Sequence, residues 1–208
     1  MMPLPPFGKI RGVAAAENEG SAHGAMIPAG YMAKRVAATP AWLPVERVSS
    51  VYSVSGCISE DFADYIRFWQ HNGYWLFNSP ETIVAVAREQ AIDLGDAVLF
   101  FYEVQDRQFD AGAWTPFAPE PSFRTDVHVP PVKVLEGYDV VSFTARTSPE
   151  CSPLSCNALA SEVDTNPRCL LTSLEQARTL LEHGVFKNAE PGPYRIFAVY
   201  SVPWPGGV

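Results

Sequence analysis

The chain has 208 residues, 47% of them apolar, which suffices for a buried core in one domain or two small ones. With 15 basic against 23 acidic residues the formal charge is −8, which argues against nucleic acid and anionic membrane as partners and leaves a basic or neutral protein as the easier fit. No apolar run approaches the roughly 20 residues of a spanning helix, and Met1 to Gly20 lacks the basic start and apolar stretch of a signal peptide, so a cytoplasmic protein with reduced thiols is expected.

Residues 1–30 open with Pro3, Pro5 and Pro6 and show no sustained period, which predicts a poorly ordered arm. A first module is expected over residues 31–104. Tyr31 to Val36 supports no more than a short edge element before Pro40 and Pro44. Val48, Val51, Tyr52 and Val54 predict a strand that ends at Gly56. Ser59 then caps a helix with the stripe Phe62, Tyr65, Ile66 and Trp69, and Gly73 stops it just after His71. Tyr74 to Phe77 is a continuous apolar run, too short for a helix, which predicts a strand buried on both faces. Ser79 and Pro80 start the next helix, with Ile83, Val86 and Ala87 turned inward, and Ala97 to Val104 reads as a long apolar strand.

Residues 105–136 carry Pro116, Pro119, Pro121, Pro130 and Pro131 among Phe109, Trp114, Phe117 and Phe123. A segment so rich in aromatics is expected to lie packed on the surface of the modules. A second module follows over residues 137–202: a strand at Tyr138 to Ala145, a helix from Ser152 with the stripe Cys156, Leu159, Ala160 and Val163, and a short buried strand at Arg168 to Leu171. Ser173 and Gln176 form a capping box for a helix with Leu174, Ala177, Leu180 and Leu181 inside, Gly184 stops it after His183, and Tyr194 to Val202 is the last strand. Pro203 and Pro205 leave residues 203–208 as a tail.

The two modules align without gaps at an offset of about 94 positions. The helix stripes coincide, and Cys57, Asn72, Leu76, Ser79 and Glu81 meet Cys151, Asn166, Leu170, Ser173 and Glu175. The expected fold class is α+β, or α/β if the sheet is parallel: two similar strand-helix-strand-helix-strand modules, an internal repeat, with helices packed on sheet.

For chemistry, the loop from Cys151 to Asn157 draws attention first, because a thiol near a helix start can be acidified into a nucleophile. Cys156 stands on the apolar stripe and Cys169 in the short buried run, so both are expected in the core. Cys57 and Cys151 fall off the stripe, where a strand end meets a helix start, a favoured place for ligands. Arg146, Glu150, Asn157 and Arg195 lie in the connections of the second module and could line a cleft with them. Structural zinc on Cys151, Cys156 and Cys169 loses two ligands to the core, and glycine-rich phosphate loops and the G-x-S-x-G elbow are missing, so neither metal nor cofactor is expected.

Two functions of different class follow. The favoured one is an acidic, cytoplasmic, non-enzymatic binding protein that engages another protein through a face or its N-terminal arm, since no complete catalytic constellation can be assembled. The alternative is a cysteine-dependent hydrolase or transferase using Cys151 on a small or peptide-like substrate, with a histidine that spacing does not select.

Overall fold

Aromatic and β-branched side chains at Phe100, Phe101, Tyr102 and Val104 suit a pleated surface buried on both sides. They lie in the longest strand of a computed structural model that describes residues 24–56, 60–61, 71–143 and 151–206. In chain order the elements are β1 (Met26–Arg35), β2 (Ala37–Ala38), β3 (Ser50–Val51), β4 (Glu60–Asp61), helix α1 (Pro80–Gln90), β5 (Val98–Asp110), β6 (Ala113–Pro116), β7 (Val134–Ser142), the one-turn helix α2 (Pro153–Cys156), helix α3 (Leu174–Glu182) and β8 (Tyr194–Ser201). The main sheet runs β4-β1-β5-β8-β7, with β6 hairpinned onto the far end of β5 and every pair antiparallel. β2 and β3 form a separate two-residue ladder. The protein is thus a mixed fold, an antiparallel sheet with few helices. The parallel α/β alternative does not apply to the described strands.

Register assigns the faces, because directly opposed residues in antiparallel strands point to the same side. Lys34, Met32, Phe100, Tyr102, Val199, Phe197, Asp139, Val141 and Arg195 share one face through successive pairs. Tyr31, Phe101, Tyr200, Ala198, Ile196 and Val140 belong to the other. Helix α1 approaches that second face near Tyr31, and α3 packs Ala177 and Leu181 with Val140 and Ile196. The first face is covered by the irregular stretches around Val54 and Ser152.

Both helices start as their sequences dictate: Ser79 accepts from the amide of Thr82 ahead of Pro80, and Ser173 accepts from that of Gln176. Helix α1 buries Ile83, Val86 and Ala87, and α3 buries Ala177, Arg178 and Leu181. Other elements differ from expectation. β1 starts at Met26, inside the stretch read as an arm, and lies between β4 and β5 rather than at an edge. The strand read from Val48 to Val54 is reduced to β3, and the long helix read from Ser152 is one turn of α-helix followed by a 3-10 turn at Leu159–Ser161. The helix expected over Phe62 to Trp69 lies outside the described residues.

The short runs Tyr74–Phe77 and Arg168–Leu171 are buried except at Trp75 and Arg168, yet they are turns that touch the sheet through one bridge each, Phe77 with Tyr31 and Leu171 with Tyr138. An asparagine holds each turn. Asn72 Oδ1 accepts from the amides of Tyr74 (2.9 Å) and Leu76 (3.3 Å) while its Nδ2 donates to the Ala29 carbonyl (2.8 Å). Asn166 Oδ1 accepts from the amides of Arg168 (2.9 Å) and Leu170 (3.1 Å) while its Nδ2 donates to the Glu136 carbonyl (2.6 Å). The asparagine thus replaces the ladder bonds these amides would make in a strand. Trp75 and Cys169 take up left-handed backbone, with φ of 62° and 63°. Each turn presses on a glycine in the neighbouring strand: a Cβ at Gly30 or Gly137 would stand 2.7 Å from the Cβ of Leu76 or Leu170, at φ of 141° and 149°.

Candidate functional site

Three places in the fold concentrate polar or exposed apolar chemistry. The first is the centre of the face carrying Lys34 and Asp139. Strand pairing fixes Asp139 opposite Phe197 in the interior, where it is 1% exposed and must find donors or lose its charge. Its Oδ2 accepts from Ser152 Oγ (2.6 Å) and from the amide of Val54 (2.8 Å). Ser53 Oγ donates to Ser152 Oγ (2.6 Å) and stands 3.0 Å from Ser55 Oγ, which lies 3.8 Å from Cys156 Sγ. Lys34 Nζ donates to the carbonyls of Val54 and Ser55, both at 2.9 Å. Burial pushes the Asp139 carboxyl up to about 7, against the pull of the Ser152 and Val54 donors, with Cys156 pushing it up and Lys34 pulling it down. The network runs through buried serines, so its chemical effect is to stitch the covering loops to the sheet.

The second place is Arg195 on β8. Its guanidinium carbon lies 3.4 Å from the ring centre of Phe117 and 3.9 Å from that of Phe143, and its Nε and Nη2 donate to Gln108 Oε1 at 3.3 and 3.2 Å. Burial lowers its pKa to about 9, with Tyr74 opposing.

The third is a groove of about 390 Å³ on the helix-bearing side, built from segments distant in sequence. Tyr31 forms its floor, packed on Phe101 and donating its hydroxyl to the His128 carbonyl at 2.5 Å. Trp204, whose indole nitrogen donates to the Ala97 carbonyl (3.0 Å), and the prolines 80, 130, 131, 203 and 205 make walls that offer no proline amide hydrogens. Val129 and Val132 on the rim are 54% and 60% exposed. Glu81 is the carboxylate of the lining; burial first and Glu81 second raise the Tyr31 hydroxyl to about 12.

The residues singled out from sequence scatter. Cys151 and Asn157 do come together, the thiol donating to Asn157 Oδ1 at 3.5 Å, and Asn157 reaches Glu190 at 3.3 Å. Cys151, however, is buried at 7% exposure rather than presented in a loop, while Cys156, expected in the core, is partly exposed. The one-turn helix buries Leu154 in its place, while Leu159 and Ala160 of the same stripe keep their interior positions. Cys169 is buried as expected, and burial drives its thiol up to about 12. Cys57, Arg146 and Glu150 lie outside the described residues. His71 stacks on Trp75 and tilts against Phe123, and His183 Nδ1 sits 2.7 Å from the Thr179 carbonyl at the end of α3. Among the described residues no three His, Cys, Asp or Glu side chains are grouped as a metal centre needs.

Sequence reasoning did not bring Tyr31, His128 and Trp204 together, with His128 weighed only as a base for the thiols, although Val129-Pro130-Pro131-Val132 and Pro203-Trp204-Pro205 were legible as proline-rich signals. It also missed Asp139, a lone acid between Tyr138 and Val140, where a solvent-facing strand position reads the same. Comparison with protein-family models, curated proteins and solved structures finds no match to this chain.

Proposed function

We propose that this is a non-enzymatic binding protein that holds an extended, proline-containing segment of another protein in the groove between Tyr31, His128 and Trp204. The observation that carries this reading is the apolar groove itself, with Val129 and Val132 more than half exposed on its rim. Left in water, those side chains stabilise nothing; covered by a partner, each contributes through area removed from solvent. Proline-walled surfaces lose little entropy on binding, and aromatic rings such as Tyr31 and Trp204 are the partners that left-handed polyproline segments stack on. Glu81 at the groove and the net charge of −8 favour a segment that carries a basic residue.

The test is calorimetric titration of the full chain with a synthetic peptide, Ala-Pro-Pro-Leu-Pro-Pro-Arg. Saturable binding is expected, weakened at least about tenfold in a folded Trp204→Ala variant, as for a central aromatic anchor. Absence of binding to the wild-type chain, or equal binding to the variant, would refute the reading. Cys151 receives no catalytic role in it, since its sulfur is buried against Asn157. A reducing, cytoplasmic setting belongs to the proposal, supported by Cys169 as a thiol in an apolar core.

The proposal extends to architecture: the chain is built of two copies of one module, related across the β5–β8 pair. In its support, Asn72 and Asn166 make matching bonds, Trp75 and Cys169 share left-handed backbone, Gly30 and Gly137 receive the turns at the same contact, and Ser79 and Ser173 cap the helices that follow.

A further inference from the structure

Arg195 carries a charge that the rest of the described molecule does not balance. It is 9% exposed, and a buried cation is ordinarily retained only against an opposite charge. Two other cations show the usual arrangement: Lys133 pairs with Glu103, and Arg178 stands 3.9 Å from Glu182. Among the described residues no carboxylate pairs with Arg195, and the acceptor it has, Gln108 Oε1, is neutral. The lowered pKa agrees with an uncompensated charge.

The geometry says which part of the guanidinium is committed. Rings centred 3.4 and 3.9 Å from its carbon lie over its faces, because an in-plane approach that close is blocked by the three nitrogens. Nε and Nη2 form the lateral edge, and both point at Gln108. What the described residues leave open is the terminal fork of Nη1 and the second hydrogen of Nη2, two parallel donors spaced as the oxygens of a carboxylate are. We propose that this fork is a recognition site for a small carboxylate-bearing ligand, oriented by Gln108 and walled by Phe117 and Phe143. The rings over both faces favour a planar group entering edge-on and disfavour a tetrahedral phosphate. Tyr74, edge-on to Phe117 at 5.6 Å, borders the site. It faces the opposite side of the sheet from the groove of Tyr31 and stands independently of the peptide-binding reading.

The experiment is a titration of the full chain with sodium benzoate, and separately with inorganic phosphate at matched ionic strength, followed through the Arg195 Nε–H resonance and the unfolding temperature. Benzoate is expected to shift that resonance saturably and raise the unfolding temperature, with phosphate producing neither. In Arg195→Lys, which keeps the charge and lacks the fork, benzoate should bind at least about tenfold more weakly, as a lost bidentate contact implies. An Arg195 resonance unmoved at about 50 mM benzoate, well above a millimolar dissociation constant, would overturn the proposal. So would equal responses to benzoate and phosphate. Because the decisive signal is read on the unmodified protein, a variant that failed to fold would not shield the proposal.

Discussion

Replacing Asp139 by asparagine should remove a pH dependence of stability that the wild-type chain owes to one buried carboxyl. The folded-state pKa is raised to about 7 from the ordinary 3.8, chiefly by burial. Below the ordinary value both folded and unfolded chains hold the proton, and the folded state enjoys its full advantage. Between there and about 7 the unfolded chain ionises first, the folded chain binds more protons, and stability falls as pH rises. At about 1.4 kcal/mol per pH unit the whole loss is of the order of 4 kcal/mol, complete by slightly above pH 7. The substituted amide would not titrate, and it retains an oxygen for the two donors, Ser152 Oγ and the Val54 amide, that converge on Oδ2 of Asp139. The difference in unfolding free energy between wild type and Asp139→Asn, from urea melts at about pH 4.5, 6 and 7.5, should therefore swing toward the variant by about 3 kcal/mol across the series. Asp139→Ala leaves both donors buried without an acceptor and should cost roughly 2 to 5 kcal/mol at the lowest pH. A difference between wild type and Asp139→Asn that stays flat over that range would refute the reasoning.

Asn166→Ala should destabilise by about 2 to 4 kcal/mol, since it strips an acceptor from the amides of Arg168 and Leu170 and a donor from the Glu136 carbonyl. Asn72→Ala should cost about as much for the corresponding bonds, and thermal melts showing either change to be neutral would mean the turns hold without their asparagines. Among the described thiols, brief alkylation of the native protein followed by peptide mass analysis should label Cys156 ahead of Cys151 and Cys169, because the latter two are buried. Faster labelling at Cys169 would contradict the packing around Leu170 and Leu171.

Helices α1 and α3 and the centres of β5 and β8 were legible because local chemistry and burial agree there. Ser79-Pro80 and Ser173 with Gln176 are start signals whose hydrogen bonds form as written, and the inward residues Ile83, Val86 and Ala87 follow from a 3.6-residue period. The runs Tyr74–Phe77 and Arg168–Leu171 failed as strands because an apolar run reports burial, not backbone shape. Trp75 and Cys169 adopt left-handed conformations that neither residue type advertises, and a distant glycine makes room for each turn. β1 was underestimated since Lys34, which reads as a surface residue, is buried with its ammonium on two carbonyls. Of the site candidates, Arg195 was named from sequence as a cleft residue, but that none of the described carboxylates pairs with it emerges only once β8 is set between β5 and β7. The groove was invisible for a similar reason: Tyr31, Pro80, Pro130 and Trp204 meet only once the sheet has formed.

The most direct measurement of the binding role is residue-resolved NMR mapping of the Ala-Pro-Pro-Leu-Pro-Pro-Arg peptide on the full chain. Shifts concentrated on the Trp204 indole, Tyr31, His128 and Val129 to Val132, saturating together along one isotherm, are the expected result. Shifts centred on the sheet's opposite face, or none at peptide concentrations of about a millimolar, would contradict the groove as the site of binding.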